Sequence, residues 1–568
     1  MASRTPAHAP AHDRPWSRPG AAAYALTRLR GIARPPVEVF EPAPGSIVIE
    51  NDAEIVTRDG TVLRANVYRP TGDGPFPVLL CAHPYGKDNL PARKRSGRGY
   101  ALPFQYKVLR QSGPIRFSSL TGWEAPDPAF WTAEGYVVVN ADLRGCGTSE
   151  GVGSPFADQE GEDVHDLIEW AAQQPWSTGA VGMIGVSYLA ISQWKAAALK
   201  PPHLGAIVPW EGFTDAYREL FRPGGIQETG FVKMWSKGVK NNRLAFDIGT
   251  KNTEHPLRDD FWQSLVPDLK AIDVPALICG SFSDNNLHSR GSFRAFESIT
   301  SSEPHVYTHR GGKWATFYSA EAQRSQTSFL ARHLKNDASQ PVLPTVRLEV
   351  RESRDRIVEV RDESQWPPAN TIWTSLFLTD DGLSTLPASS SGSITFDPKK
   401  DGVKLGYTFD EDTELTGPTA LRLFVSVEDA DDVDLFVGVE KWQGSRYVPF
   451  EGSYGFGRDR VATGWMRASV RHLDEGASTL FAPVPTYDRR EPLTAGEIVQ
   501  VDIPLGPSAT LFRAGEQLRL VVAGRWMWPT NPLTGAMPAK YAARRSGRCT
   551  LHWGDAHRSR LLVPVIGR

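Results

Sequence analysis

The sequence predicts an α/β core with an inserted helical cap, followed by a C-terminal all-β sandwich of jelly-roll type. In the first part of the chain, short apolar runs alternate with segments of helical periodicity, which is typical of a parallel sheet covered by helices. Residues 213–270 interrupt this rhythm with polar helical stretches and scattered aromatic side chains. After Pro341 and Pro344, about 220 residues show short alternating strands separated by turn residues.

The apolar runs have the length and composition of strands that are buried on both faces. They are Phe76 to Ala82, Tyr136 to Asn140, Val181 to Ile184, Ala206 to Val208 and Ala276 to Gly280. Helical spacing of apolar residues predicts helices over 161–174, 193–199 and 320–334. The predicted organisation is an N-terminal arm (1–35), a core in two parts (36–212 and 271–338), a cap (213–270) and a jelly roll (339–568).

Composition and charge exclude several classes of protein. The 568 residues carry a formal net charge of −2, which argues against a nucleic acid or an anionic membrane held by bulk charge. The four cysteines are too few and too scattered for a disulfide framework or a zinc cluster, so we expect no metal and no other cofactor. No apolar stretch has the length of a transmembrane helix or the position of a secretory signal, which predicts a cytoplasmic protein.

The strongest local signal for chemistry is Gly185-Val186-Ser187-Tyr188-Leu189-Ala190. It lies directly between a predicted buried strand and a predicted helix, where a nucleophile elbow occurs in an α/β-hydrolase. Such a turn exposes a serine hydroxyl above the sheet and requires small neighbours, because strand and helix approach closely. Gly185 meets this requirement, whereas Leu189 replaces the second glycine of the G-x-S-x-G pattern.

The elbow is part of a longer string, from Trp176 through Gly179, Gly182 and Gly185 to Ser187-Tyr188. This string resembles the cocaine-esterase and X-Pro dipeptidyl-peptidase (CocE/NonD) family of serine hydrolases, whose pattern is W-x-x-G-x-V-G-x-x-G-x-S-Y-x-G. The last glycine of the pattern is Ala190 here. Further matching segments are Arg58 to Thr61, Val67 to Pro70, Pro84-Tyr85, Gly135-Tyr136, Asp142 to Gly151, Gly464 to Ser469 and Phe512 to Leu518. The resemblance covers about residues 45 to 568 and implies an α/β-hydrolase core, a helical cap and a jelly roll.

A serine hydroxyl is a weak nucleophile, and α/β-hydrolases supply an acid and a base later in the chain, in the order Ser, Asp, His. The resemblance implies that Asp284, which follows a buried strand, is the acid. The histidine is harder to assign, because many relatives carry it in a Pro-Trp-x-His loop that has no histidine in this chain. We expect His309 to be the base, with His305 and His288 as alternatives.

The oxyanion hole and the substrate pocket are also predicted. The resemblance implies that the Tyr85 hydroxyl and the backbone amide of Tyr188 stabilise the negative charge of the tetrahedral intermediate, where a preorganised donor is worth roughly 10²–10³ in rate. Four aromatic residues near the expected mouth are candidates for an apolar substrate pocket. They are Trp210, Phe213, Trp235 and Phe282.

The sequence therefore predicts a serine hydrolase that cleaves a carboxylic ester or an amide of a small molecule through an acyl-enzyme. Three alternatives remain open: an acyltransferase that uses the same acyl-enzyme, a peptidase of the X-Pro dipeptidyl-peptidase type, and an inactive binding protein on this fold. No nucleic-acid or membrane partner is expected, and a homo-oligomer is left open.

Overall fold

The computed structural model describes residues 37–103, 106, 115–452, 459–527, 539–543 and 547–567. The predicted N-terminal arm lies outside the described residues. The strands of the first part of the chain are β1 (Val37–Phe40), β2 (Ile47–Val56), β3 (Val62–Pro70), β4 (Phe76–His83), β5 (Ala92–Arg93), β6 (Tyr100–Ala101), β7 (Ile115–Ser118), β8 (Val137–Asp142), β9 (Ser177–Val186), β10 (Leu204–Trp210), β11 (Ala276–Ser281) and β12 (Pro304–His309).

The central sheet has the strand order β2-β3-β8-β4-β9-β10-β11-β12. From β8 to β12 all neighbouring strands are parallel, and β2 and β3 are added antiparallel at one edge. β4, β8 and β11 are almost entirely buried, as expected for apolar runs in a sheet that is covered on both faces. Loops at the carboxyl ends of these parallel strands meet at one edge of the sheet, which positions the candidate site.

The described helices are α1 (Pro128–Ala133), α2 (Asp158–Ala172), α3 (Tyr188–Ala198), α4 (Phe231–Gly238), α5 (Ile248–Glu254), α6 (Asp260–Ser264), α7 (Ser289–Ser298), α8 (Lys313–Phe317) and α9 (Ala320–Leu334). Short 3₁₀ turns lie at Pro223–Gly225, Leu269–Ala271 and Ala468–Val470, and a π turn lies at Tyr217–Phe221. α2 and α3 pack so closely that a Cβ at Gly161 would lie 3.0 Å from Cβ of Lys195. None of the helices in the described part of the chain is long and apolar enough to cross a membrane.

The segment between β10 and β11 contains α4, α5, α6 and three of these short turns, where the sequence predicts a helical cap. Its helices have only five to eight residues. Helices of this length gain little stability from propensity alone, so they depend on tertiary packing. That packing includes Trp262, which is fully buried between Tyr217, Phe221 and Phe261.

The C-terminal part is made of β13 (Val346–Ser353), β14 (Arg356–Glu363), β15 (Thr371–Thr379), β16 (Gly382–Ser384), β17 (Gly392–Phe396), β18 (Gly402–Thr408), β19 (Thr413–Val427), β20 (Asp434–Gln443), β21 (Arg446–Val448), β22 (Ala462–Arg467), β23 (Val499–Phe512), β24 (Glu516–Ala523), β25 (Cys549–Trp553) and β26 (Arg560–Ile566). β19 pairs with β23 on one side and with β25 and β26 on the other, and β24 lies between β18 and β20. The parallel pairing of β12 with β13 joins this domain to the central sheet. The predicted fold class, an α/β core followed by a large all-β domain, is confirmed.

Candidate active site

Ser187 occupies a tight turn between β9 and α3. Its φ and ψ angles are 60° and −113°, and α3 begins at the next residue, five residues before the predicted start. Its N–H donates to the carbonyl of Trp210 at 3.0 Å, and its own carbonyl accepts from the first turn of α3. A Cβ at Gly185 would lie 2.4 Å from Cβ of Leu189, so the backbone there requires glycine. These contacts keep Ser187 in a left-handed conformation that is uncommon for a residue with a side chain.

The Ser187 hydroxyl is hydrogen-bonded to His288. Its Oγ lies 2.9 Å from Nε2 of the imidazole, which is 1% exposed. Burial, followed by the positive charge of Lys313, holds the pKa of His288 well below its usual value. A neutral imidazole can accept the serine proton at Nε2, in which case its own proton sits on Nδ1. Nδ1 is buried and has no hydrogen-bond partner among the described residues.

The prediction that His309 is the base beside Ser187 is wrong, because its imidazole is hydrogen-bonded to other groups. Nε2 of His309 is 3.0 Å from Oε1 of Glu211, and its Nδ1 accepts the Gly311 N–H at 3.1 Å. Both ring nitrogens are therefore engaged at the end of β12. The alternative His305 hydrogen-bonds to the carbonyl of Pro344 at 2.9 Å. Of the three candidates, only His288 is hydrogen-bonded to Ser187.

Asp284 follows β11 as predicted, but its carboxylate binds a lysine. Oδ2 lies 2.6 Å from Nζ of Lys313, and both side chains are buried. The same ammonium lies 3.8 Å from Oε2 of Glu211. The backbone carbonyl of Asp284 accepts from the N–H groups of Leu287, His288 and Ser289, in the turn that leads into α7. Asp284 therefore shapes the turn that carries His288, while its charge is balanced by Lys313.

Glu124 is a further carboxyl group at the nucleophile, and it was not predicted from the sequence. It precedes α1, has a φ angle of 65° and is 3% exposed. Burial raises its pKa to about 8, against the opposing effects of the Lys313 charge and of the neighbouring Ser187 and Tyr188. Its Oε2 is buried and has no hydrogen-bond partner among the described residues.

Tyr85 and Tyr188 lie together, as expected for the predicted oxyanion hole. The Tyr85 hydroxyl accepts from Nε1 of Trp235 at 3.3 Å, and burial raises its pKa well above the usual value, helped by the charge of Glu124. The Tyr85 and Tyr188 rings meet edge to face at 6.1 Å. The Tyr188 hydroxyl donates to Glu160 at 2.6 Å, so its ring is fixed while its backbone amide faces Glu124.

The four predicted pocket aromatics divide into two pairs. Phe213 stacks on the imidazole of His288 with ring centroids 5.8 Å apart, and Trp235 stacks on Tyr188 at 6.0 Å. The prediction is wrong for Trp210 and Phe282, whose side chains are fully buried in the core. Trp210 packs on Tyr307 and Phe317, and Phe282 packs on Phe293 and Trp366, because both residues lie where a buried strand ends.

Glu211, Cys279 and His309 bring one potential metal-ligand atom each to within 4.8 Å of one another. The hydrogen bond between Glu211 and His309 and the nearby ammonium of Lys313 already engage these groups. A cation would be repelled by Lys313, so the arrangement fits a buried ion-pair network better than a metal site.

Three residues of this site have left-handed backbone: Ser187, Glu124 and Glu211, with φ angles of 60°, 65° and 55°. Such conformations concentrate at functional sites, but they leave no mark in the sequence when the residue is not glycine. The sequence did contain one indication that Lys313 belongs to the site, because this residue lies in the loop where the resemblance expects a histidine. The spacing of four residues between Asp284 and His288 gave no comparable indication.

Comparison with known proteins shows which proteins this chain resembles. Residues 59–248 match the family model of X-Pro dipeptidyl-peptidase (S15 family), and residues 341–562 match that of the X-Pro dipeptidyl-peptidase C-terminal non-catalytic domain. A crystal structure of a CocE/NonD family hydrolase from Staphylococcus aureus is 38% identical, with a TM-score of 0.86 over 92% of this chain and 94% of that chain.

Two further relatives are more distant. Cocaine esterase from Rhodococcus sp. (strain MB1 Bresler) is 26% identical over 92% of this chain and its own full length. An aminopeptidase from a marine sediment archaeon, Thaumarchaeota archaeon, is 18% identical, with a TM-score of 0.68 over 93% of this chain and 98% of that chain. At 18% identity, the similarity to this aminopeptidase shows only that the two proteins share a fold.

Proposed function

Because this chain belongs to the CocE/NonD family of hydrolases, we propose that it cleaves a carboxylic ester or an amide with Ser187 as nucleophile and His288 as general base. The observation that carries the proposal is the 2.9 Å hydrogen bond between Ser187 Oγ and His288 Nε2, at a strained turn between strand and helix. Proton transfer requires the base to be within hydrogen-bonding reach of the nucleophile, and this pair meets that condition.

In the acylation step, Oγ of Ser187 bonds to the substrate carbonyl carbon while its proton moves to Nε2 of His288. The carbonyl π electrons move to oxygen, where the Tyr188 amide and the Tyr85 hydroxyl supply hydrogen bonds. When the intermediate collapses, the bond to the leaving group breaks and the leaving group takes the proton from His288. Water then repeats the sequence on the acyl-enzyme, releasing the acid and restoring Ser187.

The aromatic side chains around the nucleophile favour an apolar acyl or aryl group. Phe213 and Trp235 stack on His288 and Tyr188, so their rings flank the region in front of Ser187. Such rings contribute apolar contact area to a ligand pocket. We therefore favour an ester with an apolar or aromatic part as the substrate.

The proposal is tested with a fluorophosphonate probe, whose labelling of the protein is followed by intact mass. We expect rapid stoichiometric labelling of the wild type, no labelling of Ser187→Ala, and labelling slowed by at least about 10³-fold in His288→Ala, since the base contributes about that factor or more. The matched control is His309→Ala, which removes a buried histidine of the same site that does not contact Ser187.

Hydrolysis of p-nitrophenyl esters gives the second readout. Loss of turnover in Ser187→Ala and His288→Ala, with retention in His309→Ala, is the expected pattern. A folded wild type that neither labels nor hydrolyses esters or amides would refute the proposal and favour an inactive binding protein on this fold.

A further inference from the structure

Phe156 lies among the aromatic rings of the candidate active site, although no sequence pattern pointed to it. Its ring centroid is 5.0 Å from that of Tyr188, 5.3 Å from that of Phe213 and 6.0 Å from that of Trp235. All three distances are in the range of aromatic pairs that contact each other. Phe156 is buried and therefore packs against three rings of the site at once.

The three rings around Phe156 adjoin the groups that carry out the reaction. Tyr188 directly follows the nucleophile, and Phe213 stacks on the imidazole of the general base with ring centroids 5.8 Å apart. Nε1 of Trp235 donates to the Tyr85 hydroxyl of the oxyanion hole at 3.3 Å. The ring of Phe156 is therefore one residue removed from the nucleophile, the base and an oxyanion donor.

The position of the Phe156 ring is fixed by its backbone and by Glu160. The φ angle of Phe156 is 64°, a left-handed conformation that is uncommon for a bulky residue and that concentrates at functional sites. Its N–H donates to Oε2 of Glu160 at 3.1 Å, and the same oxygen accepts the Tyr188 hydroxyl at 2.6 Å. One carboxyl oxygen thus holds the backbone of Phe156 and the ring that Phe156 packs against.

The size of the side chain at this position determines how much room lies between Phe213 and Trp235. These two rings flank the region in front of Ser187, and Phe156 contacts both of them. Protein interiors are close-packed, so removal of a buried ring leaves a cavity that its surroundings fill only in part. A smaller side chain in place of Phe156 would therefore enlarge the space for an apolar group beside the nucleophile.

We propose that Phe156 is a specificity-determining residue, which limits the size of the apolar group that the substrate places between Phe213 and Trp235. This inference rests on the proposed function and narrows the substrate to esters in which that group is short. Such a residue discriminates strongly, because one methylene more or less in an apolar pocket changes kcat/KM by about 10-fold to 200-fold. The apolar group belongs either to the acyl part or to the alcohol part of the ester.

The experiment measures the ratio of kcat/KM for a long ester to kcat/KM for a short ester, in two series. The acyl series compares p-nitrophenyl hexanoate with p-nitrophenyl acetate, and the alcohol series compares hexyl acetate with methyl acetate. In one of these series, Phe156→Ala should raise the ratio by at least about tenfold and Phe156→Leu by about threefold, because alanine leaves more room than leucine. The series that responds identifies the part of the ester that lies near Phe156.

The matched control is Phe329→Ala. Phe329 is also a buried phenylalanine, but it belongs to α9 and its ring contacts His305 and His333. Its removal should lower stability and leave both ratios unchanged. A ratio measured on one preparation does not depend on the fraction of active protein, so a loss of stability does not imitate the expected change. If Phe156→Ala does not fold, Phe156→Leu carries the test.

Unchanged ratios in both series for the folded Phe156 variants would overturn the inference, and so would an equal rise in Phe329→Ala. In either case, turnover by the wild type and fluorophosphonate labelling of Ser187 would still support the hydrolase. Absence of labelling and turnover in the wild type would overturn both the inference and the proposed function.

Discussion

The segments that follow β11 and β12 differ in what they deliver to the site, although both leave adjacent parallel strands at the same edge of the sheet. The first carries His288 to Ser187 through a turn organised by the Asp284 carbonyl. The second places His309 against Glu211 and sends Lys313 to the Asp284 carboxylate. The end of a strand brings a histidine near the nucleophile, but the hydrogen-bond partners on neighbouring loops decide which histidine reaches it.

Substitution of the two histidines should change kcat/KM by very different factors. His288→Gln should lower kcat/KM by about 10⁴-fold, because the amide cannot take the serine proton. His309→Gln should lower it by less than about tenfold, because glutamine can still donate to Glu211. Ester turnover, measured on folded protein at one pH, checks both values. Similar losses of kcat/KM in the two variants would contradict the assignment of His288, and not His309, as the general base.

The second prediction concerns the ion pair that joins the two segments. Lys313→Met leaves Asp284 buried without its cation, and Asp284→Asn leaves Lys313 with less compensation, so each should lower the free energy of unfolding by about 3–5 kcal/mol. The double variant should lose clearly less than the sum, because neither charge remains without its partner. Urea unfolding of the four proteins gives the coupling energy. Strict additivity would mean that the 2.6 Å contact does not link the segments energetically.

A third and weaker effect on catalysis is expected from the cap residue Trp235. Trp235→Phe removes the hydrogen bond from Nε1 to the Tyr85 hydroxyl and keeps an aromatic ring on Tyr188. We expect kcat to fall about threefold to fivefold, because the loss of a neutral hydrogen bond changes a free energy by about 1 kcal/mol. Phe282→Leu is the control, since that ring packs in the core away from Ser187 and should change stability rather than kcat. An unchanged kcat in Trp235→Phe would mean that the hydrogen bond from Trp235 does not help to position the Tyr85 hydroxyl for catalysis.

Features that depend on local pattern could be predicted from the sequence. Buried strands show as continuous apolar runs, so β4, β8, β9, β10 and β11 and the change to an all-β domain were predictable. The elbow at Ser187 was predictable for the same reason, because its glycine and its place between strand and helix are neighbours in the chain. The resemblance also named Tyr85 and Asp284, whose positions next to strand ends hold in the structure.

Contacts between side chains from distant parts of the chain could not be predicted in this way. Whether His288 or His309 contacts Ser187 depends on Glu211, which follows β10 and engages His309. Whether Asp284 binds a histidine or a lysine depends on Lys313, which begins α8. Glu124 reaches the nucleophile from a loop before α1, more than sixty residues earlier in the chain. Hydrogen bonds and ion pairs between loops of distant sequence position have no periodicity, so no local pattern encodes them.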